Sequence, residues 1–271
     1  MNIFDFLMNL LKHNLSFYLL LPLLLLFQSL HSQKYEDADY PEFNPTKFKI
    51  VVGGGAAFYA GTLIGLHSIW YADKHRTDFH WFDDNTGWMK VDKFGHMYTS
   101  YIFGKAGMRA LRWSGVERKK AIWFGGSYGF LFLTSVEILD GHYKEWGASS
   151  GDIAFNALGS AFFIGQELTI GRQAISMKFS YNPSPLAELR PDVLGEGSIE
   201  RIIKDYNGQT YWFSANYRTM FRNHTFMPKW LNFAGGYSAY GMLGGDENPI
   251  YLPETERYGR YLFSLDVDFD Q

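Results

Sequence analysis

The sequence predicts a mainly α-helical fold, a bundle of about four apolar, membrane-associated helices followed by a small antiparallel β region. Three observations support this prediction. Several long apolar stretches occur between residues 50 and 170. Their polar residues recur at the spacing of a helix face. After Gly171 apolar and polar residues alternate. The change predicts a helical membrane-associated domain over residues 34–171 and a β-rich region over residues 172–271.

The composition of the chain excludes several classes of partner and site. With 271 residues the chain has room for one large domain or two small ones. A net charge of -3 and the lack of a nucleic-acid motif argue against a nucleic-acid partner. Aromatic residues make up 18% of the chain, which suits packed helices, a membrane interface or an aromatic strand face. The chain has no cysteine, which excludes disulfides, zinc–thiolate sites and a lipid anchor on an N-terminal cysteine.

Residues 1–33 are predicted to be an export signal. A leucine-rich core of about 11 residues at positions 17–27 fits a signal peptide and falls short of the ~20 residues that cross a bilayer. The alternative is an uncleaved anchor that also uses the apolar residues 4–11. Cleavage is expected near Ser32 or Gln33. Export predicts a location in a bacterial cell envelope, at the periplasmic face of the outer membrane or at the inner membrane.

The first helix is predicted from Ile50 to Ala72, a nearly uncharged run after a polar, extended segment at residues 34–48. At about 1.5 Å per residue it is long enough to cross a ~30 Å hydrocarbon layer. Gly61 and Gly65 give it a small face that another helix could approach. A buried helix of a globular protein is the alternative, and the three glycines at 53–55 leave its start open.

Residues 73–90 are predicted to be an aromatic loop with a turn at 85–87. Three helices are predicted after it, at residues 92–113, 121–139 and about 149–170. Asp92 suits a first turn, where the helix dipole favours negative charge. Gly125 and Gly129 give the next helix a small face. Ser149 or Ser150 could cap the last one.

The C-terminal region is predicted to contain four strands. Ile175 to Tyr181 alternates in period two, and the other candidates are residues 210–218, 231–240 and 258–269. Prolines at 183, 185 and 191 predict a loop after the first strand. Four strands cannot close a transmembrane barrel. We therefore expect a small antiparallel sheet packed on the helices or against a partner.

Each of the three later helices carries polar residues on one face. The pairs are three or four positions apart: Asp92 and His96, Glu137 and Asp140, Asp152 and Asn156. Charged groups in apolar helices cost free energy unless they meet one another, a cation or water. We therefore expect the three faces to converge on one polar, ligand-binding cluster of eight residues: Asp92, Lys93, His96, Glu137, Asp140, Ser149, Asp152 and Asn156.

The ordered motifs of this region resemble a known family. The motifs are Asp-Lys-x-x-His at Asp92, a Glu-x-x-Asp-Gly step at Glu137, and Ser-x-x-Asp-x-x-x-Asn-x-x-Gly at Ser149. Over residues 92–167 they are similar to the YfiM-type predicted periplasmic lipoprotein domain of unknown function and, more loosely, to VanZ-like membrane proteins. The resemblance implies a helical, membrane-associated envelope protein with no established reaction. The chain departs from it in lacking a lipobox cysteine. Its β-rich tail is similar to tails on Bacteroidota envelope proteins.

Three roles remain open for the cluster. It could bind a divalent metal through His96, Glu137, Asp140 and Asp152, with Asp92 and His142 as further donors. It could cap and cross-link the helices, with Lys93 and His96 neutralising carboxylates. It could also perform acid–base catalysis, although no nucleophile motif supports this and no catalytic residue is assigned.

The leading functional hypothesis is non-enzymatic. It is an envelope scaffold or lipid-contacting protein built round the cluster, with membrane lipid or an envelope protein as its partner. The alternative is a metal- or acid–base-dependent hydrolase of envelope lipid or glycan.

Overall fold

The computed structural model describes residues 41–67, 71, 74–217, 228, 230–252 and 254–267. Within this part of the chain, a helical region is followed by a four-stranded antiparallel sheet, which confirms the predicted fold class. The predicted export signal lies outside the described residues.

Helix α1 spans Pro45–Leu66 and begins five residues earlier than predicted. The Asn44 side chain accepts a hydrogen bond from the Lys47 N–H at 3.0 Å, and Pro45 occupies the first helical position. These start signals outweigh the three glycines. The predicted end at Ala72 lies among residues that are not described. No residue of α1 is buried, and a Cβ added at Gly61 or Gly65 would meet no described atom within 4 Å.

Helix α2, Val91–Trp113, is the central helix. The segment Gly87–Lys90 precedes it, and three consecutive non-glycine residues there, at positions 88–90, have positive φ angles of 50°, 49° and 67°. Left-handed geometry costs roughly 1–2 kcal/mol per residue. The surrounding structure compensates for this cost. The Trp88 N–H donates to the Gly245 carbonyl at 2.8 Å, and the Tyr237 hydroxyl donates to the Met89 carbonyl at 2.7 Å.

The predicted helix at 121–139 is wrong as a single element. It consists of α3, Arg118–Gly126, and α4, Tyr128–Asp140, divided at Ser127. Glycines cluster around the division, and they have low helix propensity. They also allow close packing, because a Cβ at Gly129 would lie 2.3 Å from the Ser100 carbonyl oxygen on α2. The packing predicted for the face formed by Gly125 and Gly129 is therefore confirmed.

Helix α5, Ser150–Thr169, packs beside α2 and is capped by Ser149, whose hydroxyl accepts the Asp152 N–H at 3.0 Å. A Cβ at Gly159 would lie 2.1 Å from the Met97 carbonyl oxygen. Helices α2, α4 and α5 are thus in close backbone contact, with the polar end of each on the same side of the molecule.

The sheet has the order β1-β2-β3-β4. Its strands are β1 Ile175–Tyr181, β2 Gln209–Asn216, β3 Leu231–Tyr240 and β4 Tyr258–Val267. Aromatic residues of its inner face pack on α2 and α5, with Phe213 6.5 Å from Phe94 and 5.8 Å from Phe162 between ring centroids.

The predicted loop after β1 is partly helical. It contains α6 Leu186–Leu189, α7 Pro191–Leu194 and α8 Ser198–Lys204. The prolines begin two of these helices rather than preventing them, because a helix's first residues need no N–H donor. The segment returns the chain to the polar end of α2.

Candidate functional site

The eight predicted residues gather at the end of the molecule where α2 and α5 begin and α4 ends. Asp92, Lys93 and His96 come from the first two turns of α2, Glu137 and Asp140 from the last turn of α4. The capping residue and first two turns of α5 supply the other three. Because glycines bring these helices into backbone contact, side chains from all three reach one another.

Lys93 lies at the centre of one half of the cluster and is 2% exposed. Its ammonium nitrogen is 2.8 Å from Asp84 Oδ1, 2.9 Å from both carboxylate oxygens of Asp152 and 3.5 Å from Asp92 Oδ2. A buried lysine of this kind remains charged only beside carboxylates. Burial alone would lower its pKa, but Asp92, Asp152 and Asp84 raise it above the ordinary value.

His96 occupies the other half. Its Nδ1 lies 3.0 Å from Asn156 Oδ1. With the amide oxygen as acceptor, Nδ1 carries the hydrogen and Nε2 is left facing carboxylates from three helices. The Nε2 distances are 3.7 Å to Asp152 Oδ1, 3.8 Å to Glu137 Oε1 and 4.0 Å to Asp92 Oδ1. The His96 side chain is 18% exposed, so solvent reaches this half of the cluster.

Hydrogen bonds hold the carboxylates in place. The Ser149 N–H donates to Glu137 Oε2 at 3.0 Å, and the Ser149 hydroxyl donates to Asp84 Oδ1 at 2.5 Å. The Tyr206 hydroxyl donates to Asp92 Oδ1 at 2.7 Å, and the Tyr71 hydroxyl donates to Asp140 Oδ1. The carboxylates are thereby oriented toward the interior of the cluster.

Negative charge is in excess here. Five carboxyl groups converge, whereas Lys93 is the only lysine or arginine that pairs with them among the described residues. The last turn of α4 lies within the protein, and its Glu137 is buried. Burial, then Asp152 and Asp140, raises the pKa of Glu137 to about 8 against the opposing effect of His96. Burial, then Asp92, raises the pKa of Asp152 to about 6.

The pKa values of Asp140 and His96 are also set by burial and by neighbouring groups that oppose it. Burial raises the pKa of Asp140 to about 6, against the opposing hydrogen bond from Tyr71. Burial lowers the pKa of His96, but the nearby carboxylates overcome this and raise it.

The structure groups the predicted metal ligands differently from the sequence. Ligand atoms of Asp92, His96 and Asp152 all lie within 4.8 Å of one another, and Glu137 borders this set through His96. Asp140 instead pairs with Tyr71. Among the described residues no ion pair or hydrogen bond joins the side chain of His142 to the cluster, and its ring lies against Phe79 at 5.6 Å.

A surface pocket of about 450 Å³ adjoins the cluster, lined by Trp81, Phe82, Asp83, Asn85 and Ser150. Its polar wall is next in sequence to Asp84 and Ser149, which belong to the cluster. Its apolar wall is formed by the exposed rings of Trp81 and Phe82. The pocket thus combines a polar end with an aromatic one.

Sequence reasoning missed three members of the cluster. Asp84 lies in the aromatic loop, where no periodicity marks it, and Tyr71 lies at the end of the first apolar run. Tyr206 reaches Asp92 from 114 positions later in the chain. Two of the three are tyrosines, and nothing in their local sequence distinguishes them.

Comparison with known protein families gives a match for one region of the chain. Residues 78–165 match the family model described as "Predicted periplasmic lipoprotein (DUF2279)", and this range includes all eight predicted cluster residues and Asp84. No curated protein and no solved structure matches the chain. The family's description agrees with the predicted location in an exported, cell-envelope compartment. The chain is therefore similar, over residues 78–165, to predicted periplasmic lipoproteins whose function is unknown.

Proposed function

We propose that this protein is a membrane-associated envelope protein that binds one divalent metal ion between Asp92, His96 and Asp152, with Glu137 as a fourth ligand. The observation that supports this most is the charge of the cluster, in which five carboxyl groups face one lysine. Buried charge of one sign requires protons or a cation to neutralise it. A divalent ion supplies two charges at the exposed half, opposite Lys93.

The geometry around His96 also supports a metal. Two ligands that each lie about 2.1 Å from one ion are separated by roughly 3–4 Å, and Nε2 lies 3.7–4.0 Å from three carboxylate oxygens. Asn156 would hold the ring and its tautomer, as outer hydrogen-bond partners of metal-binding histidines do. Carboxylate and imidazole donors suit zinc, iron or manganese.

Metal analysis of the purified full chain tests this proposal. We expect about one equivalent of bound metal after dialysis against zinc or manganese, and titration calorimetry should show the loss of that site in His96→Ala. Asn156→Ala should weaken the affinity by about 10–100-fold, the effect of removing an outer partner.

His142→Ala is the matched control, because this histidine lies on the next connector and outside the cluster. Equal metal affinities for His96→Ala, His142→Ala and the parent chain would refute the metal site. If that outcome came with a large fall in the melting temperature of His96→Ala alone, the cluster would be a structural network, as the scaffold hypothesis holds.

Helix α1 supports the membrane association. It has 22 residues with none buried, and it is one of two described stretches that are long and apolar enough to cross a membrane; the other, residues 118–140, comprises α3 and α4 and is one-third buried. Its length of about 33 Å is close to the thickness of a bilayer's hydrocarbon core. Carbonate-washed membranes should retain the protein in the pellet. Release into the supernatant would show that α1 lies on a protein surface instead.

A second candidate function is hydrolysis of an amphiphilic envelope substrate, and the pocket beside the cluster favours it. A headgroup at Asp83 and Asn85 would lie beside Asp84, at the Lys93 half of the cluster, while its apolar part rests on Trp81 and Phe82. Turnover of phospholipid vesicles by the metal-loaded protein, reduced in Trp81→Ala at unchanged metal content, would support it. Absence of turnover on envelope lipids and glycans would remove this candidate and leave the metal centre.

A further inference from the structure

Strand β4 leaves an apolar surface uncovered. On the inner face of the sheet, side chains of β1, β2 and β3 pack on the helices, and Tyr237 lies 5.2 Å from Phe94. The same face continues onto β4 through the pairs Tyr237–Tyr261 and Gly235–Phe263. Here it has no cover among the described residues, because Tyr261, Phe263 and Leu265 are 82%, 91% and 67% exposed.

Strand β4 is also an edge of the sheet. It has ten residues and pairs with β3 along one side. Natural edge strands are usually protected by a proline, a bulge, a lysine or short length, and β4 contains no proline and no lysine. A bilayer is a poor cover for it, because lipid cannot satisfy free backbone N–H and C=O groups. Another β-strand satisfies both the edge and the apolar row.

We propose that the partner is a second copy of this chain, with the two β4 strands paired antiparallel about Phe263 to form one eight-stranded sheet. In this register each Phe263 faces its counterpart, Tyr261 faces Leu265, and Arg260 faces Asp266. The apolar residues then meet on the helix side of the sheet. On the other side Arg260 and Asp266, which already bond Ser238 and Lys178 within their own chain, come opposite each other and can add a further pair. Opposed pairs of both kinds stabilise antiparallel strands.

The charges select this register over its neighbours. Side-chain alternation allows a two-fold axis at residue 262, 263 or 264, because opposed residues must share a face. An axis at Leu262 places Arg260 opposite Ser264, and an axis at Ser264 places Asp266 opposite Leu262. Only the axis at Phe263 brings the arginine and the aspartate together at both ends of the pairing.

The area is sufficient for a specific contact. Aromatic side chains bury about 150–250 Å² each when fully covered, so Tyr261 and Phe263, with a smaller share from Leu265, provide at most roughly 500 Å² per copy. Two copies reach about 1,000 Å², the lower limit for a specific interface. The new ladder adds roughly one backbone hydrogen bond per paired residue.

Disulfide trapping in isolated membranes tests the pairing, and the cysteine-free parent chain makes the test clean. Under mild oxidation Phe263→Cys should form a covalent dimer, because residues opposed across the axis lie about 5 Å apart, within reach of a disulfide. Leu262→Cys alone should cross-link about tenfold less, since its two copies would lie more than 7 Å apart. A mixture of Leu262→Cys and Ser264→Cys should link, because these positions oppose each other.

Light scattering of the full chain in detergent provides the second measurement. The parent chain and Leu158→Lys, which changes an exposed apolar residue of α5 instead, should have the mass of a dimer. Phe263→Lys should have the mass of a monomer at an unchanged melting temperature. Failure of Phe263→Cys to cross-link, or a monomeric mass for the parent chain, would overturn the proposal.

Discussion

Replacing the buried lysine is the most direct test of how the cluster is held together. Lys93→Met keeps the length and apolar stem of the side chain and removes an ammonium group that touches Asp84, Asp92 and Asp152. The replacement leaves these carboxylates without their cation in a site that is largely closed to water. We expect the folded state to lose stability and not merely local order.

The size of the loss follows from burial. At an effective dielectric constant of 20, a charge pair at 2.9 Å is worth roughly 6 kcal/mol before desolvation. Desolvation of the lysine cancels much of this attraction. What remains visible is the cost of leaving a buried charge unpaired, about 3–5 kcal/mol. In a chain of this size that corresponds to a fall in melting temperature of about 6–20 °C.

Thermal unfolding followed by circular dichroism measures the effect, with Lys178→Met as the matched control. Lys178 pairs with Asp266 at 2.5 Å, but its side chain is 38% exposed. Exposed pairs contribute about 0–1 kcal/mol. The same substitution should therefore cost several times less at position 178 than at position 93. Equal losses in the two variants would refute the claim that the cluster is a buried ionic network.

The pH dependence of the stability difference between Lys93→Met and the parent chain is a second test of this network. Burial raises the pKa of Asp84, but hydrogen bonds from Lys93 and Ser149 lower it more, to below its ordinary value. A depressed carboxyl pKa stabilises the fold above the unfolded value, and this contribution is lost as pH falls through the folded value. The difference between Lys93→Met and the parent chain should therefore shrink below pH 4. A difference that grows in acid would contradict the assignment.

Three further predictions concern the stability of the helices, of the turn before α2 and of the sheet. Gly159→Ala should lower the free energy of unfolding by about 2–3 kcal/mol, because the new Cβ would lie 2.1 Å from the backbone of α2. Gly165→Ala in the same helix meets no described atom within 4 Å and should raise the free energy of unfolding by up to about 1 kcal/mol. Urea unfolding measures both changes. Lys90→Gly should raise the melting temperature slightly, since it relieves a φ of 67° worth about 1 kcal/mol; no gain would mean that this turn is unstrained. Burial raises the pKa of Asp266, but hydrogen bonds from a β1 lysine and a β2 serine hold it below its ordinary value. Asp266→Asn should therefore cost stability at neutral pH and progressively less as pH falls below about 4.

Periodicity predicted the elements well where one face of each is buried. The alternation in β1 and the helical spacing in α2 and α5 both reflect a face turned to the core, and their bounds agree with the structure within about two residues. The division at Ser127 could not be predicted, because apolar residues continue on both sides of it. The three short helices after β1 are shorter than the windows in which a period can be recognised.

The site was predictable only in part, and the reason is physical. Residues on α2, α4 and α5 shared a spacing rule, so the sequence placed them on common faces. Asp84 and Tyr206 have no such rule, because each reaches the cluster from an irregular segment that tertiary packing positions. The set of metal-ligand candidates shifted for the same reason. Asp140 shares a helix face with Glu137, but Tyr71 takes up its carboxylate.

The sheet forms part of the cluster's support. Tyr206 leads into β2 and binds Asp92, and Tyr237 of β3 holds the Met89 carbonyl in the left-handed turn that starts α2. The hydroxyl of Tyr211 also lies 2.9 Å from where a Cβ of Gly95 would be, so the strand packs directly on the first turns of α2. The family match ends at residue 165, before the first strand. In this chain, then, the matched region relies on the β-rich region to fix the end of the helix that carries three cluster residues, and a chain cut after Gly171 would lose that support.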